Sequence, residues 1–77
     1  MKGYSYNEFL EDLNRGHEIH FIYKEENYYI SSQSFWKFND ADSEIEGEDT
    51  NELLQKVRLE GKTLIELWNT VEIDIIF

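Results

Sequence analysis

Asp40-Ala41-Asp42-Ser43-Glu44-Ile45-Glu46-Gly47-Glu48-Asp49-Thr50-Asn51-Glu52 is the stretch on which the fold turns. Five acids occupy every second position from Asp40 to Glu48, Asp49 and Glu52 follow, and no base interrupts the run between Lys37 and Lys56. As a helix, the segment would stack Asp40, Glu44 and Glu48 at i, i+4, a like-charge series that destabilises, with only Ala41 and Ile45 to bury. Extended or irregular backbone avoids that repulsion and is the state expected. Period-two spacing on an extended chain would put Asp40, Asp42, Glu44, Glu46 and Glu48 on one side, roughly 6.5–7 Å apart, with Ile45 pinned to the core. That interval resembles the charge spacing of an extended nucleic-acid strand.

Toward the C-terminus, Asp49 or Thr50 caps a helix whose buried stripe is Leu53, Leu54 and Val57, and Gly61 is its expected stop. Thr63-Leu64-Ile65-Glu66 has the spacing of a capping box, in which a Thr side chain and a Glu three residues later satisfy each other's backbone N–H groups. A further short helix is expected there, burying Leu64, Leu67 and Trp68. Val71, Ile73, Ile75 and Phe77 then alternate with Glu72 and Asp74, the pattern of a strand with one buried face.

Toward the N-terminus, Phe35-Trp36-Lys37-Phe38 reads as a strand preceded by a polar turn at Ser32-Gln33-Ser34. Tyr28-Tyr29-Ile30-Ser31-Ser32 is another, rich in β-formers, joined through a turn at Glu25-Glu26-Asn27 to a first strand. In that first strand Ile19, Phe21 and Tyr23 face one way while His20, Ile22 and Lys24 face the other. Ahead of it, Ser5-Tyr6-Asn7-Glu8 is a second capping box, Phe9, Leu10 and Leu13 recur at helical spacing with Tyr6, and Arg15-Gly16 closes the helix. The expectation is a single small α+β domain over residues 1–77, of order α-β-β-β-α-α-β. Its sheet would be antiparallel with the helices packed on one side, the last strand lying beside the first or the third.

Composition narrows the chemistry. At 40% hydrophobic and 16% aromatic, with no low-complexity tract, the chain has the makeup of a folded domain. It has no cysteine, which removes disulfides, thiol nucleophiles and thiolate metal sites, and no apolar run approaching a membrane span. A cytoplasmic location is expected. Seventeen acids against seven bases give a net charge of −10, which repels nucleic acid and anionic lipid and attracts basic partners. The same surplus also serves solubility.

Glu52-Leu53-Leu54 and the ending Gly61-Lys62-Thr63-Leu64, Trp68, then Val71-Glu72-Ile73 resemble a group of small, uncharacterised bacterial and prophage-type proteins. The first helix with its glycine and the Glu18-Ile19 strand start are similar too. The resemblance implies a short α+β domain closed by the C-terminal strand and nothing about activity, and it does not extend to the acids of 40–48. By size and acidity alone the chain is also similar to acidic anti-CRISPR inhibitors that occupy nucleic-acid sites on their targets.

Catalytic and cofactor motifs fail on inspection. Gly61-Lys62-Thr63 matches the close of a phosphate-binding loop, but that loop needs a glycine five residues earlier, where Lys56 stands. A calcium loop begun at Asp42 puts Leu53 at its twelfth, ligand position, and one begun at Asp40 puts Ile45 at the glycine position and Asn51 at the last. His17 and His20 are directed apart by strand geometry, and Ser31, Ser32 and Ser34 lack elbow glycines. No catalytic residue, metal ligand or cofactor is expected.

The aromatics are read mostly as core, with Phe9, Phe21, Trp68 and Phe77 on buried faces. Trp36 and Phe38 share one face of their strand, and Tyr29 falls on the opposite-parity set of its own, so that one of these is expected to be exposed beside the acids. The candidate partner-binding residues are therefore Asp40, Asp42, Glu44, Glu46, Glu48, Asp49 and Glu52, with Trp36 and Tyr29 as aromatic anchors. The expected role is a non-enzymatic binder that blocks a basic, nucleic-acid-binding surface of a partner protein by charge mimicry. It would not bind nucleic acid directly. The alternative is an immunity-type or housekeeping interaction module whose acidity serves solubility.

Overall fold

The computed structural model describes residues 3–77, apart from the side chain of Ala41. Five antiparallel strands form one sheet, and two α-helices complete an α+β fold. The order along the chain is α1 (Tyr6–Asn14), β1 (Ile19–Tyr23), β2 (Glu26–Ile30), β3 (Ser34–Lys37), β4 (Asp40–Glu46), α2 (Thr50–Lys56), a 3-10 turn (Trp68–Thr70) and β5 (Glu72–Ile76). In space the strands lie β4-β3-β2-β1-β5.

Two departures from the expected order follow. The acidic stretch is itself a strand, β4, paired antiparallel to β3 at the sheet edge. The segment after Thr63 is not an α-helix. Its capping box closes, the Thr63 N–H and hydroxyl each donating to Glu66 Oε1 at 3.0 Å, but residues 64–67 make only turns before the 3-10 segment. Thr70 Oγ1 donates to the Leu67 carbonyl at 2.8 Å, and the backbone of Val71 is already extended. Nor does Gly61 stop a helix. α2 ends at Lys56, and Glu60-Gly61, with φ of 54° and 80°, form the turn that closes a Leu59–Lys62 bridge.

Local chemistry explains the rest. Ser5 Oγ accepts the Glu8 N–H at 3.1 Å and starts α1, and Gly16, at φ 90°, takes the left-handed position that ends it. The turn expected at Glu25-Glu26-Asn27 falls one residue earlier. Lys24 and Glu25 both have positive φ, as a two-residue hairpin with right-handed strand twist requires, and Tyr23 pairs Glu26. Asp49 Oδ1 accepts the Glu52 N–H at 2.8 Å and caps α2.

The core is one cluster. Ile19, Phe21 and Tyr23 of β1, Tyr28 and Ile30 of β2, Phe35 of β3 and Ile73 of β5 meet Phe9 and Leu13 of α1 and Leu53 of α2. Phe21, Tyr28 and Phe35 stack within it, neighbouring centroids standing 5.3 and 5.6 Å apart. Trp68 completes a second aromatic group with Tyr4, Tyr6 and Phe9, its indole N–H donating to the Tyr4 carbonyl at 3.3 Å.

β5 pairs with β1, one of the two neighbours left open above, and it does so with a bulge. Phe21 faces Ile73 while His20 faces Ile75, so one extra β5 residue enters between them. Side-chain alternation then slips by one. Ile76 packs on the core instead of Ile75, and Phe77, expected inside, is 58% exposed.

Candidate functional site

Opposite the core face, β1, β2 and β3 carry a second row of rings. His20 stacks on Tyr29 at 4.9 Å and Tyr29 on Trp36 at 5.6 Å, the last pair within 12° of parallel. Phe38, in the β3–β4 turn and 51% exposed, tilts against Tyr29 at 6.2 Å. The sequence placed Tyr29 and Trp36 on opposed parities, yet the register pairs them directly and they share a face. Alternation within each strand was legible. The offset between strands was not, because it depends on where the turn falls.

His20 anchors the row. Its Nδ1 lies 2.9 Å from Asp74 Oδ2 and its Nε2 2.9 Å from Asn27 Oδ1. An ionised carboxylate only accepts, so Nδ1–H donates to Asp74. The ring is thereby fixed from both sides while only 8% of the residue is exposed. The sequence sets His17 and His20 apart by strand geometry, without naming a partner for either. In the fold His17 Nδ1 meets the Phe77 carbonyl at 2.7 Å and tethers the last residue to the start of β1.

β4 borders this face. Ser34 pairs with Glu46 and Phe35 with Ile45, so Ile45 points to the core and Glu44 and Glu46 fall on the side of Trp36. Beyond that point the pairing shifts until Lys37 meets Asp40. Ser43 fills the gap, its Oγ accepting the Lys37 N–H at 2.9 Å and donating to the Asp40 carbonyl at 2.6 Å. The even one-sided ladder of carboxylates is therefore kept by regular pairing only at Glu46, with Glu44 next to it at the edge of the irregular stretch. Asp40 and Asp42 project from the bulged half, and all four are exposed.

The seven candidate acids divide into two groups. Asp49 and Glu52 have structural work at the start of α2, where Asp49 is the cap. Glu52 accepts the Glu48 N–H at 3.3 Å and pairs with Lys56 at 3.1 Å. Among the described residues the carboxylates of Asp40, Asp42, Glu44, Glu46 and Glu48 have no hydrogen-bond or ion-pair partner. Four of the bases are engaged with other acids: Arg15 with Glu11, Lys24 with Glu60, Lys37 with Glu26 and Lys56 with Glu52. Two partnered carboxylates elsewhere are made more acidic. The Lys24 ammonium holds Glu60 below the usual carboxylate range, and the Thr63 backbone and hydroxyl do the same for Glu66.

Gly47 sets the strand against α2. A Cβ there would stand 2.7 Å from the Leu53 backbone nitrogen, so only glycine allows this approach. Lys56 Nζ reaches back to the Glu46 carbonyl at 3.1 Å across the same junction.

Elsewhere, a cleft of about 250 Å³ between the two helices is lined by Tyr6, Leu10, Leu54, Arg58 and Ile65, among others, and by no carboxylate. Among the described residues no three His, Asp or Glu side chains converge to hold a metal, and no helix is long and apolar enough to cross a membrane. Comparison of the chain with protein-family models, with curated proteins and with solved structures returns no match.

Proposed function

We propose that the chain is a cytoplasmic, non-enzymatic binding protein that covers a basic, nucleic-acid-binding surface of a partner protein by charge mimicry. The nearest biological type is an anti-defence inhibitor of the anti-CRISPR kind. One observation carries the reading: among the described residues, five carboxylates along β4 and its extension stand exposed without an internal partner, beside a row of aromatic rings. Helices cover the other face of the sheet, and this face stays open for docking. Unpaired acids attract Arg and Lys over a distance set by salt screening, and the rings supply apolar area once contact is made.

The test is charge removal at two places. Asp42→Asn with Glu44→Gln and Glu46→Gln is compared with a control triple, Glu11→Gln, Glu18→Gln and Glu25→Gln, which removes equal charge elsewhere. Each form is immobilised, exposed to bacterial lysate and eluted with rising salt or with an added oligonucleotide. The β4 triple should lose most of the oligonucleotide-displaceable partners and the control should keep them. Equal loss in both would make net charge the cause. Loss in neither would leave the acids a solubility role and favour contact through other surfaces.

A further inference from the structure

The row of stacked rings stops in an unusual place. It runs His20, Tyr29, Trp36 across three strands and then meets β4, where no ring continues it. Among the described residues the face of Trp36 turned away from Tyr29 has no ring or cation against it. On the strand beside it stand Glu44 and Glu46, exposed and without ion-pair partners. Across the sheet the same face ends in further acids on β5, Glu72 opposite Ile22 and Asp74 on His20. A half-buried aromatic ring with no second ring or cation against it, next to two carboxylates unpaired among the described residues, is complementary to a flat cation that also donates hydrogen bonds.

We infer that this sheet face docks an arginine side chain of a basic partner, its guanidinium stacked on Trp36 as the next plane of the row and its N–H fork turned to Glu44 and Glu46. The inference rests on the basic-surface reading above and names its chemistry. Arginine suits the place better than lysine because its cation is planar, weakly hydrated and able to stack while it donates in its own plane. Phe38, tilted at the rim of the row, offers an apolar contact to the side-chain methylenes. A second copy of this chain is a poor occupant, since two open faces would bring unpaired acids of two molecules, each at net −10, against one another.

The test uses two blocked peptides of equal charge, Gly-Arg-Gly-Arg-Gly-Arg and Gly-Lys-Gly-Lys-Gly-Lys, titrated into the 15N-labelled protein at low salt. The Trp36 indole resonance is identified by its absence from Trp36→Phe. The arginine peptide should move that resonance together with the Glu44 and Glu46 amides and bind about two- to fivefold tighter than the lysine peptide. Glu44→Gln with Glu46→Gln should weaken both, and Trp36→Leu should remove the preference while lysine binding persists. Equal binding of both peptides with Trp36 unmoved would overturn the stacking inference and leave the basic-surface reading standing. Binding of neither would overturn both. Translational diffusion at the value of a dimer, returning to that of a monomer in Trp36→Leu, would assign the face to a second copy instead.

Discussion

Tyr28 and Tyr29 are consecutive in β2 and stand on opposite faces of the sheet, each in the middle of its own row of stacked rings. Tyr28 lies between Phe21 and Phe35 in the core, and Tyr29 between His20 and Trp36 on the open face. The two rows use neighbouring residues of the same three strands, so one pleat serves both stability and contact.

The two tyrosines should therefore separate those roles on mutation. Tyr28→Ala empties core volume and should cost about 3 kcal/mol, a large share of the roughly 4–12 kcal/mol expected for a chain of this length. Tyr29→Ala should cost about 1 kcal/mol and weaken partner binding instead. Urea melts read alongside a binding assay check this. Similar losses of stability in both would mean the open-face row is structural.

Asp74 is the residue through which the β5 bulge reaches His20. Asp74→Ala leaves the buried Nδ1–H without an acceptor and should cost about 1–3 kcal/mol. Asp42→Ala, which removes an exposed carboxylate with no partner among the described residues, should stay within about 0.5 kcal/mol of the parent. Equal effects in denaturant melts would show that the His20 contact contributes nothing.

Gly47→Ala tests how β4 is held. Because the new methyl group would press on the Leu53 backbone, α2 must shift, and overpacking of this kind costs about 1–3 kcal/mol. Gly3→Ala, whose Cβ meets nothing within 4 Å, serves as the control for space, although its positive φ carries a cost of its own. An unchanged melting curve for Gly47→Ala would show that the strand and helix are less closely apposed than 2.7 Å implies.

Glu66 gives a pH signature. Hydrogen bonds from Thr63 depress its folded-state pKa, so its contribution to stability is complete above the unfolded-state value and is lost as pH falls through the folded one. A carboxyl NMR titration should place Glu66 below an ordinary glutamate, and Thr63→Ala should move it upward. An unmoved midpoint in the variant would remove Thr63 as the cause.

Deleting residues 71–77 should unfold the domain. The loss takes Ile73 and Ile76 from the core, leaves β1 as a bare edge and breaks the tethers from His17 to Phe77 and from the Phe77 N–H to the Glu18 carbonyl. At about 1.5–3 kcal/mol for each fully buried aliphatic side chain, the remainder lacks a margin. A cooperative melt close to the parent's would show β5 to be peripheral.

Much of this protein is determined by interactions that span only a few residues, and those the sequence states openly. Ser5 with Glu8 and Asp49 with Glu52 are caps satisfied within one helical turn, and the alternation from Ile19 to Tyr23 is a property of one strand. Repulsion among Asp40, Glu44 and Glu48 works against a helix there, and residues 40–46 form a strand. Which of these acids remain unpaired was decided elsewhere, by the partners that Lys24, Lys37 and Lys56 take once the chain has folded. The same holds for the rings. Tyr29 meets Trp36 because a two-residue turn sets the β1–β2 register and a tight loop sets the next, and Phe77 is outside because one bulge opposite His20 and Phe21 reverses the parity of β5. Strand pairing acts between residues up to 57 positions apart, as for Ile19 and Ile76, and a shift of one residue there exchanges the two faces. Tertiary structure alone could make that choice.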